Sequence, residues 1–197
     1  MINKDDILNV YRYGSRVYGT ATNESDHDLI IVKKGAEGII EGIESGILNL
    51  TIYDELSFQE AINNHEISVL ECLFLPKNCI ITEKKKFDFE LDITKLRNSI
   101  SQKSSNSWVK TKKKLTVEKD YNPYIAKKSL FHSFRILKYG IQIAKYGRIF
   151  DYTEANYLWE EINSFETNDW EFFKTKYQPV YNELKSQFKL EAPKKEN

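Results

Sequence analysis

The first half of the chain alternates short apolar runs with segments of helical spacing. Three runs rich in β-branched and aromatic residues predict strands, at 7–13, 28–34 and 46–54. Two segments with apolar residues at helical spacing follow, at 57–64 and 66–74, and 78–87 predicts a short strand and turn. This alternation is typical of an α/β or an α+β domain whose strands lie in one sheet.

The second half of the chain has helical spacing throughout. In 125–147, the best-defined helix, Phe131, Phe134, Leu137, Ile141 and Ala144 fall on one face, and Gly147 is placed to cap the C-terminus. Two further helices are predicted at 152–162 and 167–188, the second with a bend at Pro179. A sheet followed by helices predicts an α+β chain.

A Ser-rich polar stretch, 97–114, separates the two halves and is interpreted as a connecting helix or a linker. We therefore predict an N-terminal domain over 1–96 and a linker or connecting helix over 97–124. A helical domain is expected over 125–190, followed by a frayed tail over 191–197.

The composition is that of a folded protein, with 41% hydrophobic residues in 197. No apolar run approaches the roughly 20 residues of a membrane span, so no membrane partner is expected. The N-terminal residues lack the pattern of a secretory signal, and Cys72 and Cys79 have neither metal-ligand nor redox spacing. These features predict a cytoplasmic protein with two reduced cysteines.

Charge is distributed unevenly along the chain, although its net charge is zero. Residues 1–96 hold 10 Lys and Arg against 17 Asp and Glu, a net charge of −7, and residues 97–197 hold 19 against 12, a net charge of +7. A site for metal and phosphate that receives a polyanion fits this asymmetry, and so do two ordinary solvated surfaces of opposite sign.

Two carboxylates stand one residue apart at the start of the second predicted strand. In a strand, residues i and i+2 point to the same face, so Asp26 and Asp28 lie side by side while His27 faces away. Two carboxylates this close repel unless a cation lies between them. Mg²⁺ prefers a few carboxylates together with phosphate oxygens, so the pair predicts a metal site.

A Gly-Ser pair ends the first predicted strand. Gly14 allows the backbone to turn tightly and approach a ligand closely. The N–H groups that follow, and the hydroxyl of Ser15, are suited to binding phosphate.

The order Gly-Ser, ten residues, Asp-x-Asp and four apolar residues resembles the DNA polymerase β-like nucleotidyltransferase superfamily, over residues 7–75. The stretch GSRVYGTATNESDHDL is most similar to predicted nucleotidyltransferases associated with RNA repair. LTIYDELSFQEAINNHEISVLECLF and, more weakly, KKSLFHSFRIL add to this similarity. The resemblance implies a mixed sheet flanked by helices in the 1–96 catalytic domain.

The resemblance also implies the roles of the site residues. Gly14 and Ser15 hold the triphosphate of an NTP, expected to be ATP, and Asp26 and Asp28 bind two Mg²⁺ or Mn²⁺ ions. Arg16 is expected to contact a phosphate. The position of the family's third carboxylate, also a metal ligand, corresponds to Asn49.

Asp54 and Glu55 are the nearest replacements for that carboxylate, although strand alternation places Asp54 on the opposite face. Elsewhere, Glu71 is unusual as a carboxylate within an apolar helical run, and is assigned to an exposed edge or a local pair.

Basic residues in the second half offer further phosphate contacts. Four of them form a stripe on the 125–147 helix: Lys128, His132, Arg135 and Lys138. The stripe is either the solvated face of the helix or a surface for nucleotide phosphates or RNA. We predict nucleotide contacts for His132 and Arg135. Lys112, Lys113 and Lys114 near Trp108 are a weaker candidate for binding a single strand.

These expectations describe a two-metal nucleotidyltransferase that moves a nucleoside monophosphate to a hydroxyl. An RNA end is the favoured acceptor, because of the basic second half, and a protein or small molecule is the alternative. The rival hypothesis is a degenerate nucleotide-binding or interaction module, because Asn49 carries no charge. A third is an antitoxin-like transferase that modifies a protein partner.

Overall fold

The structure is a computed structural model that describes residues 3–38 and 40–194. It divides into two compact units, Met1–Leu91 and Asp92–Asn197. The first is a sheet with helices and the second is helical, so the α+β class is confirmed. No helix in the described ranges is long and apolar enough to cross a membrane.

The first unit contains one five-stranded mixed sheet. Its strands are β1 (Ile7–Tyr13), β2 (His27–Lys33), β3 (Ile40–Ser45), β4 (Leu48–Asp54) and β5 (Ile80–Glu83). They lie in the order β3-β4-β2-β1-β5, in which β2 and β4 are parallel and the other neighbours antiparallel.

The register of this sheet determines which side chains meet at the end of β2. Tyr13 in β1 lies opposite Asp28 in β2, and Asp28 lies opposite Asn49 in β4. Directly opposed residues of neighbouring strands share a face. The end of β1, the start of β2 and the start of β4 are therefore adjacent.

Three helices accompany the sheet: α1 (Ser15–Tyr18), α2 (Glu55–Asn63) and α3 (Ile67–Leu73). An aromatic cluster joins α2 to the sheet, because the Phe58 ring stacks on Tyr11 and meets the edge of Tyr53. All three residues are buried and form the centre of this unit's core.

The sequence prediction missed β3. Its segment, IEGIES, contains a glycine and two glutamates and lacks the alternation of apolar and polar positions that identifies a strand. All six of its residues are exposed, so burial imposes no pattern on them. Pairing with β4 makes this segment a strand, through a tight turn in which Gly46 has φ +59°.

The described part of the second unit contains four α-helices: α4 (Ile93–Thr116), α5 (Pro123–Tyr146), α6 (Asn156–Ser164) and α7 (Trp170–Glu191). The core lies around α5, on which Phe131, Phe134 and Leu137 are buried as predicted. Gly140 permits close packing, because a Cβ there would lie 2.7 Å from Ile100 Cγ2 and 2.9 Å from Phe188 Cε2. Gly147 caps α5 with φ +71°, as predicted.

The Ser-rich stretch is part of α4, and its polar residues take part in packing. Ser104 is buried and donates to the Ser133 carbonyl at 2.8 Å.

The last helix of this unit, α7, continues through Pro179 to Glu191. The predicted tail begins at this last helical residue, and its residues 195–197 lie outside the described ranges.

Candidate functional site

Gly14 lies between β1 and α1, in contact with Asp28. Its φ of +75° is a conformation that residues with a side chain rarely adopt. A Cβ on Gly14 would lie 2.0 Å from Asp28 Oδ2. Both the backbone conformation and the neighbouring carboxylate therefore require glycine here.

Asp26, Asp28 and Asn49 meet at the adjacent strand ends. The Asn49 Nδ2 group donates to Asp28 Oδ1 at 3.1 Å and to Asp26 Oδ2 at 3.4 Å. One amide therefore links the two carboxylates, which lie side by side. Asp26 is exposed and Asp28 is half-buried, so a ligand can reach both.

The three side chains fit the requirements of a divalent cation. Mg²⁺ binds through one or two carboxylates and keeps several waters, which its substrate's phosphate oxygens replace. In residues 3–38 and 40–194 there is no cluster of three or more His, Cys, Asp or Glu side chains suited to a metal. A cation at Asp26 and Asp28 would therefore complete its coordination with the Asn49 carbonyl oxygen, water or phosphate.

The one-turn helix α1 carries Ser15 and is supported from the core. The Tyr18 hydroxyl at its end donates to Glu71 Oε2 in α3 at 3.0 Å. Both residues are buried, with Tyr18 2% and Glu71 1% exposed. The sequence prediction did not identify Tyr18, and it placed Glu71 at an exposed edge or in a local pair. The exposed edge was wrong, because Glu71 is buried, and Tyr18, which donates to it, lies 53 residues away in the sequence.

Comparison with models of protein families identifies the family of this chain. The sequence model described as "Nucleotidyltransferase domain" matches residues 2–143. The chain belongs to the nucleotidyltransferase domain family. This confirms the family indicated by the Gly-Ser and Asp-x-Asp motifs, while the similarity to RNA-repair proteins stays a prediction.

Solved structures also resemble this nucleotidyltransferase. One is spectinomycin adenyltransferase AAD(9) from Enterococcus faecialis with ATP and spectinomycin, at 14% identity and a TM-score of 0.48, covering 94% of this chain and 93% of that one. Another is a nucleotidyltransferase-like protein from Exiguobacterium sibiricum 255-15, at 13% identity and a TM-score of 0.31, covering 96% and 67%. Among curated proteins no match was found.

Arg16 of the nucleotidyltransferase contacts the loop that precedes β2. Its Nη2 donates to the Ser25 carbonyl at 2.7 Å and its Nε to the Asp26 carbonyl at 3.3 Å. These bonds hold the backbone of Asp26 close to α1. A phosphate contact of Arg16 stays a prediction, and the observed bonds give this residue a positioning role.

Asp54 and Glu55 do not replace the third carboxylate. They lie at the opposite end of β4 from Asn49, where the buried Asp54 carboxylate caps α2 by accepting from Ser57 N at 2.8 Å. The same carboxylate accepts from Glu37 N, and Glu55 forms an ion pair with Lys85. Both side chains have structural partners, so their suggested role as substitutes was wrong.

His132 and Arg135 belong to the second unit and contact each other. Arg135 is 3% exposed, donates from Nε to His132 Nδ1 at 3.1 Å, and lies over the Tyr139 ring at 4.9 Å. Loss of solvation lowers the pKa of His132 well below its usual value, and the cations Arg135, Lys128 and Lys110 lower it further. His132 is therefore a neutral acceptor, and nucleotide contacts of this pair stay predictions.

Several other cations of the second unit are engaged in ion pairs. Lys138 pairs with Glu154 at 3.0 Å, and Lys113 pairs with Asp120 at 2.8 Å. The Trp108 ring stacks on Tyr181 with centroids 4.5 Å apart, and also meets Phe134 and Trp170. Trp108 is half-buried against these aromatic partners, and binding of a single strand by Lys112, Lys113 and Lys114 stays a prediction.

Cys72 and Cys79 are both free of disulfide bonds. Burial raises the pKa of the Cys72 thiol, which donates to the Ser68 carbonyl in its own helix. Since a reactive cysteine needs a stabilised thiolate, Cys72 has a packing role.

Proposed function

We propose that this nucleotidyltransferase transfers a nucleoside monophosphate from an NTP, ATP being the expected nucleotide, to the hydroxyl of an RNA end. The observation that supports this most directly is the pair of carboxylates, Asp26 and Asp28, linked by one amide beside the Gly14 turn. In this reaction the acceptor oxygen bonds to the α-phosphorus, the bond to pyrophosphate breaks, and the hydroxyl proton passes to solvent.

Each residue of the site has a separate role in binding the triphosphate or in positioning the carboxylates. Gly14 lets the backbone approach the triphosphate, and the Ser15 hydroxyl is placed at the same turn to donate to a phosphate oxygen. Arg16 holds the loop that presents Asp26. The protein contributes mainly orientation of the two reactants and a fixed arrangement of charge.

Asp26 and Asp28 are the residues proposed to hold Mg²⁺ or Mn²⁺, with Asn49 as the third ligand. A divalent cation supplies charge neutralisation at the phosphates and makes an attacking hydroxyl more acidic. In the present arrangement Asn49 donates to both carboxylates and so relieves their repulsion. Cation binding requires the amide to turn its oxygen toward the metal.

Asn49 also favours a second candidate function, a nucleotide-binding module without turnover. An amide carries no negative charge, so the site has two carboxylates where the resemblance implies three. A weaker metal site retains nucleotide affinity from the Gly14 turn while losing rate.

A label-transfer assay separates the two candidates. The protein is incubated with each α-labelled NTP, Mg²⁺ or Mn²⁺, total RNA and lysate protein, with Asp26→Ala/Asp28→Ala as the control. We expect label on RNA that disappears in the double variant. Metal-dependent NTP binding without transfer would establish the binding module, and label on protein would replace RNA as the acceptor.

A further inference from the structure

Glu44, in the edge strand β3, is a carboxylate that lies next to Asn49. It is paired directly with Asn49 across β3 and β4, and Asn49 is paired directly with Asp28 across β4 and β2. Because directly opposed residues of neighbouring strands share a face, the three side chains form a row on one face of the sheet. Asn49 therefore has a carboxylate on each side, Asp28 from β2 and Glu44 from β3.

The turn after β3 holds this end of the strand at the site. Gly46 and Ile47 join β3 to β4, and the Ile47 carbonyl accepts a hydrogen bond from His27 N, at the start of β2, at 2.7 Å. This bond ties the turn to the strand that carries Asp28. Directly opposed antiparallel residues have Cβ atoms about 4.5–5.5 Å apart, so the Glu44 side chain is long enough to reach the Asn49 amide.

The Glu44 carboxylate is available for a new contact. It is exposed, and it has no hydrogen-bond or ion-pair partner within 3–38 and 40–194. Glu41 of the same strand differs, because it forms an ion pair with Lys33 at 3.5 Å. Three positions separate Glu41 from Glu44, so the alternation of side chains places Glu41 on the opposite face of the sheet.

The Asn49 amide uses its donor and leaves its acceptor unused. Nδ2 donates to Asp28 Oδ1 and Asp26 Oδ2, and in the described part of the chain the amide oxygen accepts no hydrogen bond. Cation binding through that oxygen requires a half-turn of the amide, which the broad terminal torsion of asparagine permits. The half-turn directs the NH₂ group away from the β2 side, and hence toward the β3 side, where Glu44 lies.

We propose that Glu44 accepts a hydrogen bond from the turned Asn49 amide and so holds the Asn49 oxygen in its cation-binding orientation. Glu44 is a positioning residue in this role, and it brings to the site the third negative charge that Asn49 lacks. Partners of this kind orient metal ligands, and their loss typically lowers metal affinity about 10- to 100-fold. The inference rests on the proposed function and extends it by assigning the residue that orients Asn49.

Titration of the nucleotide-free protein with Mn²⁺, followed by electron paramagnetic resonance, tests this role without requiring turnover. We expect Glu44→Ala to weaken Mn²⁺ binding about tenfold, and Glu44→Gln, which keeps an acceptor oxygen, to weaken it less. Glu41→Ala is the matched control, because it removes the same charge from the other face of the same strand, and should stay within twofold of the native chain. Equal losses in Glu44→Ala and Glu44→Gln would overturn the hydrogen bond.

A double-mutant cycle shows whether Glu44 acts through Asn49. In an Asn49→Ala background no amide remains to be oriented, so Glu44→Ala should change Mn²⁺ affinity less than twofold. A tenfold loss in that background as well would overturn the positioning role. Without metal, the Tm of Glu44→Ala should equal that of the native chain, because the side chain is exposed and has no partner in the described ranges. A lower Tm would indicate a structural role instead.

Mn²⁺ binding and label transfer together separate failure of this inference from failure of the proposed function. Label transfer accompanied by equal Mn²⁺ affinity in the native chain and Glu44→Ala overturns the role of Glu44 alone. Mn²⁺ binding that depends on Glu44, without label transfer, overturns the proposed reaction and supports the assignment. Absence of Mn²⁺ binding in the native chain overturns the metal site and the role of Glu44 with it.

Discussion

Gly14 combines a backbone requirement with a side-chain requirement at a single position. Its φ is positive, and the space where a Cβ would lie is occupied by the Asp28 carboxylate. The role of Asn49 also depends on its neighbours, because its amide donates to both the Asp26 and the Asp28 carboxylates. The chemistry of the site therefore depends on contacts of a few ångströms between three strand ends.

Gly14→Ala is expected to weaken nucleotide binding by tenfold or more. The added Cβ would displace Asp28, and the backbone conformation of Gly14 (φ +75°, ψ −156°), which almost only glycine adopts, costs about 1–3 kcal/mol of stability in addition. NTP titration and thermal unfolding measure the two effects. Gly46→Ala is the matched control, because Gly46 has φ +59° with nothing within 4 Å of its Cβ position, and should lose stability alone. Equal nucleotide affinity in the native chain and Gly14→Ala would contradict the proposed site.

Asn49→Asp is expected to make stability more dependent on Mg²⁺. Without metal, a third carboxylate replaces a donor and adds repulsion, so the Tm falls, and Mg²⁺ restores it. Under the transferase hypothesis with a weakened metal site, nucleotidyl transfer increases as well. A Tm that does not respond to Mg²⁺ in this variant would argue against metal binding here, and Asn49→Ala controls for simple loss of the donor.

At the scale of elements, α1 is too short to be stable by itself. A single turn of helix has little intrinsic stability, so its position comes from its contacts. The Tyr18–Glu71 hydrogen bond joins it to α3, and Arg16 joins it to the loop before β2. The turn that carries Ser15 is therefore fixed by elements that lie far away in the sequence.

Tyr18→Phe is expected to weaken nucleotide binding severalfold and to cost about 1–3 kcal/mol of stability, because the Glu71 oxygen loses a buried donor. The phenylalanine ring retains the packing of the tyrosine. Tyr139→Phe, which removes another buried hydroxyl bond, to the Tyr152 carbonyl, should lower stability without changing NTP affinity. If the two variants lower NTP affinity equally, α1 positioning is not the cause.

At the scale of the whole molecule, the chain consists of an acidic sheet-containing unit and a basic helical unit, each with its own core. The basic unit buries part of its charge. Arg135 is buried, lies over the Tyr139 ring and is hydrogen-bonded to His132, and Lys138 is paired with Glu154. Its net positive charge therefore overstates the cationic surface offered to a partner.

Stability is expected to fall as the pH drops below about 6.5, the usual pKa of histidine. The folded-state pKa of His132 is lowered by loss of solvation and by nearby cations, so the unfolded chain binds a proton that the folded chain excludes. His132→Gln keeps an acceptor for Arg135 and should reduce the loss of Tm between pH 7.5 and 5.5. An unchanged pH dependence in this variant would show that other groups control acid sensitivity.

The sequence by itself determined the features that depend on neighbouring residues. Strands β1, β2 and β4, the two helices that follow, and the Gly-Ser and Asp-x-Asp motifs were predicted because alternation, helical spacing and turn chemistry are local. The position of Asn49 was also predicted, through family resemblance, and the sheet register places it opposite Asp28.

Only the tertiary structure decided which distant side chains become partners. The segment of β3 is a strand because it pairs with β4. Glu71 accepts a hydrogen bond from the distant Tyr18, and Asp54 caps helix α2. The pairing of Arg12 with Leu29 and of His27 with Leu48 likewise requires three strands in register. Such contacts depend on how separate elements pack, and the periodicity of each element carries no information about the partner it meets.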